Sequence, residues 1–311
     1  MLARARRTLF PATTLEAWLC TAFEVERQLD WPVAPLTLAL DGGDAGDAYW
    51  LRSDPIHLRA QRSQLVLAQA ANFALTVAEA NALIATLNAH FAGDGLSFHA
   101  PRPERWYLKA DNAPALITYP LTAVLGRDID SRLPAGDDRL RWHRALNEIQ
   151  MLLHEHPVNE AREQRGDVAI NSVWLWGGGI KTAVTGRAFT AVWADDVLAS
   201  ALGTLADATP RPLPATAAAV LDGASPAASR LLVVLDPLRQ AWASGGGSAW
   251  HDMHIALERD WYAPVCRALR AGVISGLAIV APGDRHCARY DVAPADLWKV
   301  WRRPKWLSRY G

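Results

Sequence analysis

A chain of 311 residues, half of them hydrophobic, has enough apolar material for one large α/β domain or two intimate subdomains. Its 32 Lys plus Arg balance its 32 Asp plus Glu, so no global field draws it to nucleic acid or to an anionic membrane, and a bulk electrostatic binder is disfavoured. Cys20, Cys266 and Cys287 lie far apart and form no C-x-x-C pair, which argues against structural zinc and for a reducing, cytoplasmic setting; no secretory leader or membrane span is expected, because Pro11 and Glu16 interrupt the N-terminus and no run of about 20 apolar residues occurs.

Thr13 to Leu29 places Leu15, Trp18, Leu19 and Phe23 on one face and predicts a helix, and Leu36 to Leu40 reads as a short strand ending at Asp41-Gly42-Gly43. Thr76 and Glu79 have capping-box spacing ahead of Leu83, Ile84, Leu87 and Phe91, a helix that Gly93 stops. Arg105 to Lys109 and Ala115 to Tyr119 read as strands, with a loop over 126–138 after them. Leu146, Ile149 and Leu153 return to helical spacing, and Pro157 ends that helix, leaving His154, Glu155 and His156 at its tip. Ile170 to Trp176 is apolar and rich in β-branched and aromatic residues, a strand buried on both faces that runs into a turn at Gly177-Gly178-Gly179.

Beyond that turn the pattern predicts a helix over Asp195 to Ala206, a linker or surface loop over 210–226 and a strand over Leu231 to Leu235. A loop over 244–248, a long helix from Trp250 to Ala271 kinked by Pro264, a strand over Gly276 to Ala281 and a final helix follow. This last third reads as a parallel β-α-β unit. The expected class is α/β, a mostly parallel sheet flanked by helices with an α+β subdomain. An N-terminal α+β region over 1–165 and a C-terminal α/β region over 166–311 are expected to form one compact unit.

Ligands of open α/β sheets gather at strand ends, so Asn159, Arg162, Asn171 and Lys181 beside the glycine turn are candidate anion contacts; the competing reading is a tight turn with helix-cap polar groups. The glycines match neither a phosphate loop nor a dinucleotide fingerprint, and there is no G-x-S-x-G elbow. His154-x-His156 and His251-x-x-His254 have spacings that metal ligands use, though such pairs more often cap or pack. Trp298, Trp301 and Trp306, interleaved with Lys299, Arg302, Arg303, Lys305 and Arg309, make a basic aromatic tail. Its i, i+3 indoles read first as the packed face of a final helix, and second as a contact for a membrane surface, a nucleic acid or an acidic partner.

In combination, Trp50-Leu51-Arg52-x-Asp54-Pro55, the helix segment Leu87 to Phe91, His156-Pro157-Val158-Asn159, Asn171-Ser172-x-Trp174-x-Trp176-Gly177-Gly178-Gly179 and Asp296-Leu297-Trp298 resemble the RpfE-like (regulation of pathogenicity factors) proteins of proteobacteria. That family in turn resembles the archaeal-type cofactor-independent phosphoglycerate mutases of the alkaline-phosphatase-like superfamily. The resemblance implies an alkaline-phosphatase-like fold and adds Arg52 and His156 to Asn159, Arg162, Asn171, Gly177, Gly178, Gly179 and Lys181 as ligand-binding residues. It implies a regulatory or metabolite-binding protein without catalysis and without a cofactor, whose partner is a small phosphorylated or carboxylated metabolite or a protein, with no nucleic acid. The other implication is an active, divalent-metal-dependent mutase or phosphatase with Asp41, Asp44, Asp236, His251, Asp252, Asp284 and His286 as ligands. Against it, the nucleophile segment is missing after Asp41-Gly42-Gly43-Asp44, and Gly283-Asp284-Arg285-His286 stands where relatives have adjacent Asp-His.

Overall fold

The computed structural model describes residues 2–61, 64–69, 74–125, 129–223, 229–236, 247–299 and 301–302. Its contacts divide the chain into two units, one of residues 23–186 and one of 1–22 with 187–311. The boundary therefore falls at 22/23 and 186/187 and not at 165/166. The reason is pairing: the strand that follows residue 166 hydrogen-bonds to strands of the 23–186 unit.

The 23–186 unit is built on a five-stranded sheet of β2 (Tyr49–Gln61), β3 (Gln64–Gln69), β4 (Leu96–Arg102), β5 (Arg105–Ala110) and β6 (Ser172–Gly179). Every pairing in it is antiparallel: β2 meets β6 on one side, and β5 and then β3 on the other. One face packs on α3 (Val77–Phe91) and α4 (Arg139–His154), where Leu83, Leu87, Phe98, Trp106, Leu108, Ile149, Leu153 and Val173 form the core. Each such side chain stabilises by about 1.5–3 kcal/mol when fully buried. The other face is partly covered by α2 (Val33–Leu40), whose Ala34 and Leu38 pack with Trp50 and Tyr107. Helix α5 (Pro157–Gln164) follows α4 after a two-residue break at Glu155 and His156.

The second unit holds a three-stranded antiparallel sheet, β1 (Arg6–Thr13), β11 (Gly283–Val292) and β10 (Leu277–Ala281), and a three-stranded parallel sheet, β8 (Thr209–Arg211), β7 (Ala191–Trp193) and β9 (Leu231–Val233). Its helices are α1 (Leu15–Ala22), α6 (Val197–Leu205), α7 (Ala217–Asp222), α8 (Gly247–Leu257) and α9 (Ala263–Arg270). A π-helical turn over Glu258–Tyr262 joins α8 to α9. Pro264 explains it, since its ring cannot sit over the carbonyl one turn earlier and it has no N–H to give.

Several expectations are corrected. The class is α/β, but among the described residues the parallel sheet is the small one and the larger sheet is antiparallel, so a mostly parallel sheet is not what this sequence builds. The expected β-α-β unit dissolves, because β9 and β10 belong to different sheets and β10 pairs antiparallel with β11. Leu36 to Leu40 is helical; a run apolar on all sides reads equally as strand or helix, and the Pro32 and Pro35 that precede it suit a helix start. Ala115 to Tyr119 makes only an isolated bridge, Ile117 with Ala135. The predicted final helix is instead strand β11 and a 3-10 turn at Pro294–Trp298. Parts of the 126–138 and 244–248 loops and the tail beyond 302 lie outside the described residues.

Candidate functional site

The residues singled out in the sequence fall into two groups at opposite ends of β6. At its start, His156 caps α5: its Nδ1 accepts the Val158 N–H at 3.1 Å, which leaves the proton on Nε2, 3.0 Å from Thr86 Oγ1. Burial pushes this imidazole below its ordinary value, so it is neutral at neutral pH. Asn159 spans α4 and the entry to β6, donating to the Leu153 and Ile170 carbonyls at 2.6 and 2.8 Å and accepting the Ile170 N–H at 2.8 Å. Arg162 is fully buried, donating to the Val168 carbonyl at 2.9 Å and to Glu79 Oε2 at 3.1 Å. Asn171 pairs both backbone groups of Leu58, at 2.7 and 2.9 Å, like one more rung of the ladder. These polar groups hold α5, α3 and the strands in register.

At the other end the three glycines lie inside β6, fully buried, and not in a turn beyond it. A register shift between Trp50 and Arg52 marks a bulge there, and Gly177 takes φ +64°, in the left-handed region. Close packing accounts for the other two. A Cβ on Gly178 would lie 2.3 Å from the Tyr49 hydroxyl, and one on Gly179 would lie 2.6 Å from Pro32. The Gly177 amide donates to Thr118 Oγ1, whose hydroxyl is passed on to the buried Asp30 carboxylate. Strand geometry separates Asn171 from Gly178 by roughly 20 Å at about 3.3 Å per residue, so one small ligand cannot span both groups. Lys181 is half exposed and only 4.0 Å from Asp44.

Arg52 is closed off on every side. Its guanidinium binds Asp54 at 2.5 Å and lies 5.2 Å from the ring centroids of both Tyr107 and Trp176, while Trp176 Nε1 donates to the other Asp54 oxygen at 2.7 Å. Next to it Asp41, nearly fully buried, takes Arg105 Nε at 2.9 Å, a second and shorter contact from Arg105 Nη2, and the Tyr107 hydroxyl at 2.7 Å. Burial alone would raise the Asp41 carboxyl, but these hydrogen bonds and the Arg105 and Arg52 charges outweigh it and hold the carboxyl below its ordinary value.

The same sheet face carries groups the sequence reading passed over. Cross-strand register puts Ser97, Lys109 and Trp50 in one row and His99, Tyr107, Arg52 and Trp176 in the next, with Arg102 opposite Arg105. Ser97 Oγ is 2.9 Å from His99 Nε2, and the His99 ring lies 5.1 Å from Trp50. Burial, and then the Lys109 charge, keep His99 below its usual value. Arg102 is more than half exposed and Arg105 about one-fifth. With Arg105 committed to Asp41, the row at β4 and β5 offers a hydroxyl, a neutral imidazole, an ammonium and the Arg102 guanidinium, a donor set that suits phosphate or carboxylate oxygens. The period-two alternation Ser97-x-His99 and Arg105-x-Tyr107-x-Lys109 was the available signal.

The residues nominated for a metal do not fit one. Both Asp41 oxygens are taken by Arg105 and Tyr107, Asp44 is exposed and accepts the Gly46 N–H, and His286 sits 3.3 Å from Arg7. Asp236 lies beyond the end of β9, His251 and Asp252 are exposed on α8, and Asp284 is exposed on β11. Among the described residues no three His, Cys, Asp or Glu side chains gather as a metal would need. No helix among them is long and apolar enough to cross a membrane.

No protein-family model matches the chain. Its sequence is similar to a probable 2,3-bisphosphoglycerate-independent phosphoglycerate mutase of Geobacter sulfurreducens, with 27% identity over 149 residues, 48% of this chain and 37% of that protein. It is also similar to the 2,3-bisphosphoglycerate-independent phosphoglycerate mutases of Methanosarcina barkeri, 34% identical over 103 residues (32% of this chain, 26% of that one), and of Methanothrix thermoacetophila, 39% identical over 56 residues (18% and 14%). The match thus spans little more than a third of these curated relatives at most. Among solved structures the chain is similar to a cofactor-independent phosphoglycerate mutase from Thermoplasma acidophilum, with TM-score 0.39, 13% identity and coverage of 94% of this chain and 80% of that one. The PH0037 protein from Pyrococcus horikoshii matches with TM-score 0.43, 10% identity and coverage of 94% and 78%.

Proposed function

We propose that the chain is a phosphoglycerate mutase-type phosphotransferase or phosphatase acting on a phosphorylated or carboxylated metabolite of the phosphoglycerate kind. The observation that carries this reading is the sequence similarity to 2,3-bisphosphoglycerate-independent phosphoglycerate mutases, which reaches 27% identity over 149 residues. The row of Lys109 and Arg102 with Ser97 and His99 supports it from the side of ligand chemistry, since these groups supply donors to an anionic oxygen without any metal.

A second reading is favoured by a specific observation. Asp41, which the mutase resemblance implies as a metal ligand, is the buried counter-ion of Arg105, so the scaffold would bind its metabolite without turning it over. This is the regulatory role that the RpfE-like resemblance implies. One experiment separates the two: phosphoryl transfer from 3-phosphoglycerate and from a generic phosphate ester, with manganese or zinc added, alongside metal content by mass spectrometry. Turnover with about two metals per chain, lost in His251→Ala, establishes the enzyme. Absence of turnover, with 3-phosphoglycerate binding that Lys109→Ala and Arg102→Ala weaken at least tenfold, establishes the binding protein. Neither turnover nor binding would remove both readings.

A further inference from the structure

The N-terminal arm and the C-terminal 3-10 turn lie side by side in the 1–22/187–311 unit. Arg4 donates a guanidinium N–H to the Leu297 carbonyl, and Arg302 reaches back to the Ala5 carbonyl at 3.4 Å. The two segments are pinned at both ends. Leu297 takes the buried position, in a cluster with Ala5, Leu269, Tyr290 and Val292, and this turns the neighbouring indoles outward. Trp298 is 79% exposed and Trp301 74%, the reverse of the packed tryptophan face that their spacing predicts.

The segments that carry and hold these indoles are rich in cations. Residues 2–11 and 287–302 contain Arg4, Arg6, Arg7, Arg289, Lys299 and Arg302 against only Asp291 and Asp296, a local net charge of +4 in a chain that is neutral overall. Both carboxylates are engaged, Asp291 by Arg6 and Arg289, and Asp296 by Lys299 and the Ala293 N–H. The sequence continues past the described residues with Arg303, Lys305, Trp306 and Arg309.

We propose that this surface docks the protein peripherally on an anionic phospholipid bilayer. Indoles favour the headgroup region, where the ring is half buried and the N–H stays wet, and Lys and Arg gain from the negative surface potential there. A nucleic acid would use the cations and could stack on the indoles, whereas two outward indoles in a cationic segment match the headgroup region without an ordered base to stack on. Complementarity of both charge and apolarity therefore favours the lipid surface.

The test is co-sedimentation of the full chain with mixed phosphatidylserine–phosphatidylcholine vesicles. Binding is expected to these and not to phosphatidylcholine alone, and to be released by salt. Trp298→Ala with Trp301→Ala should weaken it at least tenfold. Replacing Arg6, Arg7, Lys299 and Arg302 by Gln should weaken it about a hundredfold. Quenching of the wild-type tryptophan emission by brominated lipid gives a readout that needs no variant. No sedimentation with anionic vesicles, no quenching, equal binding by the variants, or binding to a single-stranded oligonucleotide without binding to vesicles would each overturn the proposal.

Discussion

Glu79→Gln is the sharpest probe of what Arg162 is for. The Glu79 carboxylate accepts the Thr76 N–H and hydroxyl, Arg162 Nη1 at 3.1 Å and Arg165 Nη2 at 2.8 Å. Burial alone would raise its pKa, but these partners bring it down from 4.5 to about 2. That lowering corresponds to roughly 3 kcal/mol. Glu79 keeps some solvent contact and Arg165 is more than half exposed, so screening reduces the figure to about 2 kcal/mol. Gln can still close the capping box, so the substitution removes mainly the charge.

A depressed carboxyl contributes its stability above its unfolded value and loses it as pH falls through the folded one. The wild type should therefore outlast Glu79→Gln by about 2 kcal/mol at pH 7 in urea titrations. The gap should close as pH drops from about 4.5 toward 2, the window its pKa sets. A gap that is the same at both ends of that range, or below about 0.5 kcal/mol at pH 7, would refute the view that Arg162 is held by Glu79 as a fold element and return it to the list of ligand contacts.

Asp41→Asn should cost about 2–3 kcal/mol in a urea melt, because Arg105 and the Tyr107 hydroxyl lose a buried carboxylate; the loss should be the same with and without a chelator, and a chelator-dependent loss would restore Asp41 as a metal ligand. Asn159→Ala removes three buried hydrogen bonds and should lower stability by about 3 kcal/mol whether or not phosphate is present, as read by thermal melts. Gly178→Ala drives a methyl to 2.3 Å from the Tyr49 hydroxyl and should cost about 2 kcal/mol, measured in the same melts, whereas a ligand cradle would register the change in phosphate affinity instead.

Elements with strong local chemistry were legible in the sequence. The Thr76–Glu79 box and the Leu83, Leu87, Phe91 stripe place α3 at Val77–Phe91, and Leu146, Ile149 and Leu153 place α4. The strand after Ile170 was also legible, but not its partner, because pairing with β2 is a contact across more than a hundred residues. Long-range partners explain the site as well. Asn159, Arg162 and Asn171 have the residue types of anion ligands, and only the fold reveals that Ile170, Glu79 and Leu58 already occupy them. Glycines 177 to 179 looked like a turn because the sequence does not show Tyr49 and Pro32 pressed against them. Exposure of Trp298 and Trp301 was hidden for the same reason, since Arg4 and Ala5, which pin their segment, stand almost three hundred residues earlier.

Strand β1 joins β11 by pairs such as Arg6 with Asp291, so β1 finds its neighbour only after more than two hundred further residues have been made. On a ribosome adding about 5–20 residues per second, β1 emerges roughly 15–60 s before its partner. The 23–186 segment is continuous and holds its own sheet, so it can be complete during that interval. An unpaired β1 with Leu9 and Phe10 exposed is then an open edge waiting in the cell. Arg6 and Arg7 put charge on that edge, the kind of feature that disfavours edge-to-edge pairing with other chains.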